Sequence, residues 1–316
     1  MKVAVLKGGD SLERLVSLRS GARVEDALDR LGHDVVPIDV GPDLVDRLTA
    51  ERPDVAFVAL HGRGGEDGTV QELLELLGIP YTASGPSACI RCMDKVIAKH
   101  ALRDAGVPTP DFYAFSQAAF EELGAARALP TIEERLDFPV VVKPAGQGSA
   151  LGIKFAQRAE DVPGAIVAAF SYDTKVLLER HVAGRDLAVS VIDGPDGAEA
   201  LPVVEAVPHE EDFYDFEARY EIGRTTFTCP AEIGPAATAR AQELALAAYA
   251  TLGCAGFARI DLMLEDGTGE LYLLEANAIP GLTDTSLLPL AAEAAGLPFD
   301  ELIARIVALA IARVPA

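Results

Sequence analysis

Cysteine is scarce in this chain of 316 residues, which has only Cys89, Cys92, Cys229 and Cys254. Four scattered thiols exclude the disulfide framework of a small secreted domain, so reduced thiols are expected. Cys89 and Cys92 form a C-x-x-C, but no second cysteine pair and no histidine cluster lies near them in sequence. Both are therefore expected as small apolar residues on a buried helix. Basic residues are also in short supply, with 27 Lys and Arg against 49 Asp and Glu and a formal net charge of -22. So acidic a chain repels polyphosphate backbones and anionic lipid, which argues against a nucleic-acid or membrane partner, although a local basic pocket can still take a small anion. No stretch of about 18 apolar residues occurs that could span a bilayer. The chain opens directly on the strand-like Val3–Leu6, and a soluble, cytoplasmic protein is expected. Repeats and low-complexity tracts are missing too, which sets aside solenoids and disordered tails.

Single hydrophobic cores stop growing at roughly 250–300 residues, so two or three packed domains are expected. Short β-branched runs at Val3–Leu6, Val35–Ile38 and Val55–Val58 alternate with amphipathic stretches, as in a parallel sheet with crossover helices. Val24, Ala27, Leu28 and Leu31 recur at helical spacing before Gly32, which is placed for a left-handed C-cap. Residues 1–96 thus read as an α/β domain. A break at Gly106-Val-Pro-Thr-Pro110 and a less regular stretch to Pro130 lead to the strand Phe138–Val142, within a middle domain at 97–184. The remainder, 185–316, begins with a strand at Leu187–Ile192 and an irregular segment from about Pro208 to Thr225. A helix at Ala236–Leu252, two strands around a glycine-rich turn, and helices at Leu287–Ala295 and Glu301–Ala312 follow.

Three places carry chemistry. After the strand at Val140, Lys143-Pro-Ala-Gly-Gln-Gly148-Ser149-Ala-Leu-Gly152 sets a lysine beside a loop whose unhindered N–H groups can close around phosphate oxygens. It lacks the Gly-Lys-Ser/Thr ending of a Walker A loop and opens no G-x-G-x-x-G helix. A glycine-rich hairpin with an exposed lysine is the other reading. In Phe257–Leu264 and Leu271–Asn277, a hairpin centred on Thr268 sets Asp261 opposite Glu275 and Arg259 opposite Asn277 on one face. Ile260, Leu262, Leu264, Tyr272, Leu274 and Ala276 then make up the core face. Facing carboxylates repel unless a proton or a cation intervenes, and Asp, Glu and Asn oxygens suit Mg²⁺ held together with phosphates. The alternative is a solvated face on which Arg259 neutralises one acid. Finally, His61-Gly-Arg-Gly-Gly-Glu66-Asp67-Gly68 and Gly8-Gly9-Asp10-Ser11-Leu-Glu13 leave strand ends where open α/β sheets bind ligands. Glu13 there can hold an ammonium or simply complement a helix dipole, and His61 can be a structural histidine.

Taken in this order and spacing, these segments resemble the D-alanine:D-alanine ligase family of the ATP-grasp superfamily. The likeness runs from Gly8-Gly9-x-Ser-x-Glu13 through His61–Gly68, Met93-Asp-Lys95, Lys143-Pro and Gly148-Ser149. It continues in Asp215-Phe-Glu-Ala-Arg-Tyr220, Arg259-Ile-Asp261, Glu275-Ala-Asn277 and Pro280-Gly281-x-Thr283-x-x-Ser286-Leu287. It implies an ATP-grasp fold, α+β in its ATP-binding part, behind the N-terminal parallel-sheet domain. It also implies a reaction in which ATP phosphorylates the carboxylate of one D-alanine and the amine of a second attacks the acyl phosphate.

By the same resemblance, Lys95, Lys143, Ser149 and Arg219 would serve the ATP phosphates, with Glu179, Arg180, Val182 and Asp186 at the adenine and ribose. Asp261, Glu275 and Asn277 would ligate two Mg²⁺ ions, for which Mn²⁺ can substitute. Glu13 would take the first D-alanine's ammonium with His61 beside it. Arg259 and the Gly281 N–H would stabilise the tetrahedral oxyanion. Ser286 and the Leu287 backbone would meet the second carboxylate. Tyr220 would join Ser149 and Glu13, fastening the 208–225 loop over the site, and a homodimer is implied. Three positions depart from the family pattern. Arg219 replaces a common lysine, which keeps the phosphate-facing charge, so phosphate binding is expected to survive there; Ala150 replaces a common serine and Asp186 a common glutamate, two changes expected to weaken ATP binding modestly. Tyr220, which relatives making D-alanyl-D-lactate lack, points to a peptide product. A ligase for another amino acid and a non-catalytic nucleotide-binding protein are the alternatives, the second disfavoured by the complete Arg259, Asp261, Glu275 and Asn277 set.

Overall fold

Three parallel strands, β1 (Lys2–Gly8), β2 (Asp34–Val40) and β3 (Val55–Val58), lie in the order β2-β1-β3. They belong to a computed structural model that describes residues 1–124, 127, 129–208 and 224–312. Val3, Ala4, Val5 and Leu6 are all fully buried, as a strand covered on both faces requires. Helix α1 (Arg14–Arg30) covers one face with Val16, Val24, Ala27 and Leu28, and Gly32, at φ +78°, turns the chain out of it. Leu31 caps this helix and is 37% exposed, outside the buried stripe. Helices α2 (Leu44–Glu51), α3 (Thr69–Leu76), α4 (Pro86–Met93) and α5 (Lys95–Asp104) follow. Asp94 caps α5 by accepting from the Val96 and Ile97 N–H groups.

A four-stranded antiparallel sheet comes next. Its strands are β4 (Phe112–Ser116), β5 (Val140–Pro144), β6 (Lys154–Ala156) and β7 (Lys175–Arg180), in the order β4-β7-β5-β6. Short helices α6 (Gln117–Glu121) and α7 (Leu129–Glu133) precede β5, and α8 (Val162–Phe170) packs on the sheet. Strand β4 falls in the stretch that read as irregular. This unit has its own apolar cluster, which includes Ile132, Leu136, Val142, Ile166, Val176 and Leu178.

The last sheet runs β11-β10-β8-β12-β13, with β9 on the flank of β8. Its strands are β8 (Gly184–Gly194), β9 (Gly197–Ala200), β10 (Val204–Pro208), β11 (Thr225–Thr228), β12 (Phe257–Glu265) and β13 (Leu271–Asn277). Helices α9 (Pro235–Leu252), α10 (Leu287–Ala294) and α11 (Phe299–Ala312) complete it. Helix α11 returns to pack on α1 and β3, so one apolar cluster runs unbroken from the parallel sheet into this one. Full burial of a side chain such as Phe57 within that cluster is worth about 1.5–3 kcal/mol.

The hairpin pairs Asp261 with Glu275 and Arg259 with Asn277 as the spacing requires, but its register shifts by one between Asp261 and Leu262. That β-bulge corrects the expected core face. Beyond it, Leu262 pairs with Leu273, so Leu271 and Leu273 are the buried residues. Tyr272 instead lies under Arg180, and Leu274 faces the cleft with Lys143, Asp261 and Glu275.

Candidate active site

The loops after β1 and β3, Gly8–Asp10 and Leu60–Gly64, line one crevice at the carboxyl ends of the parallel strands. Glu13 stands at the N-terminus of α1 yet makes no capping bond; it is buried and accepts a hydrogen bond from the Ser149 hydroxyl of the middle sheet. A Cβ on Gly62 would come within 2.7 Å of Glu13 Oε2, and one on Gly148 within 2.8 Å. Bare backbone therefore forms both walls of the carboxylate's cradle. Ser149 and Ala150 both adopt positive φ, 51° and 58°, a conformation that costs L-residues of order 1–3 kcal/mol each and recurs at ligand clamps.

Burial pushes the Glu13 carboxyl above the ordinary glutamate range, and the neighbouring Glu66 charge raises it further, against the lowering effect of Ser149, His61 and Lys95. A raised carboxyl pKa means that the Glu13 anion, the form with which an ammonium would pair, is lost, as pH falls, sooner than for a free glutamate. Glu66→Gln removes one cause of the shift while its amide oxygen can still accept from His61. The acid limb of kcat/KM for the ammonium-bearing substrate should then move to lower pH; a limb that stays put or moves up would show that Glu66 is not a cause.

The cationic arms come from two elements. Lys95, at the start of α5, donates from Nζ to the Gln147 carbonyl at 2.7 Å and lies 3.1 Å from Glu275 Oε2. Lys143, near the end of β5, pairs with Glu179. On the facing sheet, Arg259 grips Asp261 with two hydrogen bonds of 2.6 and 2.7 Å, and Asn277 Nδ2 donates to the same carboxylate at 3.1 Å. Each acid of the facing pair thus has a cationic partner, Arg259 for Asp261 and Lys95 for Glu275. No group of three or more His, Cys, Asp or Glu arranged for a metal occurs among the described residues. What the hairpin offers is two carboxylates and an amide oxygen.

The adenine and ribose candidates differ in where their side chains go. The Glu179 carboxylate turns inward onto Lys99 and Lys143, and Arg180 donates to Glu265 at 2.6 Å. Val182 is buried, and Asp186 lines the cleft with Ile153, Leu187, Ala188 and Ala206. Across the site, the Ser286 hydroxyl lies 2.8 Å from Thr283 Oγ1 and accepts from the Thr283 N–H at 2.9 Å, and Leu287 begins α10 at the cleft wall. Gly281 packs so closely on Ser286 that a Cβ there would meet its hydroxyl at 2.8 Å. Arg219 and Tyr220 lie outside the described residues.

Sequence reasoning passed over the residues that tie these loops together. His61 Nδ1 lies 3.0 Å from Glu66 Oε1, and because a carboxylate only accepts, that nitrogen is assigned the proton. Nε2 then accepts from the buried Ser20 hydroxyl at 3.1 Å, which in turn accepts from the Leu282 N–H at 3.2 Å. Arg23, one turn further along α1, holds the Leu282 and Thr283 carbonyls and the Asp284 carboxylate. Only the helical spacing of Ser20 and Arg23 hinted that both face the same loop. Ser20→Ala should raise the KM of whatever the Gly281–Ser286 loop binds by about fivefold, the weight of one hydrogen bond. Steady-state kinetics with thermal melting as control checks this; a lower melting point with unchanged KM would make Ser20 purely structural. The C-x-x-C lies on the buried face of α4, and the fold brings Cys92 Sγ to 3.5 Å from Cys254 Sγ.

Two antiparallel sheets facing each other over paired lysines and a carboxylate pair define an enzyme of the ATP-grasp fold. A family model described as D-ala D-ala ligase C-terminus matches residues 101–308, and one described as D-ala D-ala ligase N-terminus matches residues 44–84. The D-alanine--D-alanine ligase of Syntrophotalea carbinolica is 44% identical over 97% of this chain and 95% of its own length. That of Geobacter sulfurreducens is 42% identical over 96% and 92%. The crystal structure of the Bacillus anthracis D-alanine--D-alanine ligase superimposes with a TM-score of 0.84 at 33% identity, covering 99% of this chain and 98% of that one. The same enzyme complexed with ATP gives 0.82. The chain belongs to the D-alanine--D-alanine ligase family.

Proposed function

We infer that this protein joins two D-alanine molecules into D-alanyl-D-alanine with consumption of ATP, for peptidoglycan precursor synthesis. The observation that carries the reading is the meeting of Glu13 and Ser149, 136 residues apart, in one cradle beside Lys95 and the Arg259–Asp261 clamp. A carboxylate is a poor electrophile, so coupling it to an amine requires activation, and phosphorylation by ATP supplies it. Glu13 holds the first D-alanine's ammonium, which fixes its carboxylate toward the phosphate lysines. His61, with its proton on Nδ1, lies beside it. Arg259 and the Gly281 N–H receive the oxyanion that forms when the second amine attacks. Ser286, ahead of α10, takes the second carboxylate at the positive end of the helix dipole. A cover over the cleft protects the acyl phosphate from water, and we assign that role to residues 97–184.

The hard oxygens of Asp261, Glu275 and Asn277 fit Mg²⁺ shared with phosphates, and we propose that they hold two such ions. Bound there, Mg²⁺ would neutralise charge on the transferring phosphoryl group. A cytoplasmic homodimer is part of the proposal, because ATP is available in that compartment and the family resemblance implies two subunits. Among the described residues, no helix is long and apolar enough to cross a membrane. The test is mass identification of the product after incubation with ATP, Mg²⁺ and D-alanine. The dipeptide with one phosphate released per bond is expected. Phosphate release that ignores D-alanine but answers to another amino acid would overturn the substrate, and no release with any amino acid would overturn the catalysis.

A further inference from the structure

Lys99 lies one helical turn after Lys95 on α5 and is 1% exposed, the most deeply buried charged residue among the described ones, with Glu179 next at 2%. Its ammonium donates to Thr109 Oγ1 at 2.5 Å and stands 2.6 Å from Glu179 Oε2. The other Glu179 oxygen pairs with Lys143. Two ammoniums therefore share one carboxylate, leaving one net positive charge among these three buried groups. Excess buried charge of this kind is costly unless an anion answers it. Lys143 opens at its far end onto the cleft, beside Asp186, Asp261 and Leu274.

We propose that Lys99 is a positioning residue of the nucleotide site: by sharing Glu179 with Lys143 it keeps Lys143 from being fully neutralised, so that the triphosphate meets a net positive charge. The proposal rests on the reading of the cleft as an ATP site and adds the origin of its charge. With Lys99 removed, Glu179 belongs to Lys143 alone and the pair presents no net charge to phosphate. The groups that set the Lys99 charge come from three strands, Glu179 on β7, Lys143 on β5 and Glu275 on β13; Lys95 and Arg103 are the other cations of its own helix, and the Phe112 ring of β4 is 5.7 Å away. Burial, the largest effect, and the Lys143 charge pull the ammonium pKa down to about 8 against the pull of Glu179. Above that pH the lysine discharges, and nucleotide affinity should fall with it.

The test is calorimetric titration of the full-length protein with ATP and Mg²⁺, without amino acid, so that acceptor identity does not enter. Lys99→Met, close to isosteric, should weaken ATP binding roughly tenfold, the effect of losing one charge-assisted contribution. Adding Glu179→Gln to Lys99→Met restores the single net charge and should bring Kd back to within about threefold of wild type. A packing role for Lys99 would not be rescued by that second change. A Kd for Lys99→Met within about twofold of wild type, or no recovery in the double variant, overturns the proposal. Should the variants fail to fold, wild-type Kd is followed from pH 7 to 9.5. Weakening above about 8, with protons taken up on binding, supports the proposal, and a flat profile overturns it. A wild-type protein that binds no ATP at all instead overturns the underlying reading of the cleft.

Discussion

Replacing Glu275 by alanine is expected to abolish turnover, with a loss on the order of a thousandfold or more in kcat. Two effects act together. The change takes one of three hard oxygens from the hairpin face that we assign to Mg²⁺. It also releases Lys95, whose ammonium is held 3.1 Å from that carboxylate while it bridges to the Gln147 carbonyl of the glycine loop. The loop would thus lose its tie to the catalytic sheet as the metal site lost a ligand. Phosphate release measured across a Mg²⁺ titration reads the result directly. Turnover that still rises with Mg²⁺ in the variant would refute the metal assignment for Glu275.

Arg259→Lys should lower kcat by about a hundred- to a thousandfold, the usual cost of removing an oxyanion donor. A lysine keeps the charge but cannot reproduce the planar fork whose two N–H groups meet both oxygens of Asp261. That clamp fixes Asp261 against Glu275 across the ladder, so a point charge in its place leaves the acid free to rotate. Under the oxyanion role proposed for Arg259 the lost contact is to charge that develops during reaction, so the main loss should fall on kcat and not on the KM for ATP. Kinetics at saturating ATP and D-alanine separate the two parameters. A kcat loss below about tenfold, or a loss carried wholly by the ATP KM, would remove Arg259 from the oxyanion role.

Much of the site was legible because it lies on short, regular stretches. The hairpin is the clearest case: alternation with period two places Arg259, Asp261, Glu275 and Asn277 on one face whatever surrounds them. Even there the bulge after Asp261 escaped notice, since a one-residue slip leaves composition unchanged yet moves Leu274 into the cleft and Leu273 into the core. Glu179 shows the opposite difficulty. The resemblance alone placed it at the adenine and ribose, but whether its carboxylate faced the cleft or the interior depended on its place on β7, on Lys99, from a helix 80 residues earlier, and on Lys143.

By itself the sequence determined the parallel sheet, the glycine loops at its strand ends, the acidic hairpin and the family, because these follow from local periodicity and from residues adjacent in the chain. The tertiary structure alone decided that the Ser149 hydroxyl donates directly to a buried Glu13, that Ser20 links His61 to Leu282, and that Lys99 and Lys143 divide one buried carboxylate. The physical reason is that burial and partnership are properties of packed neighbours. An ionisable side chain acquires its charge state and direction only when distant segments exclude water around it.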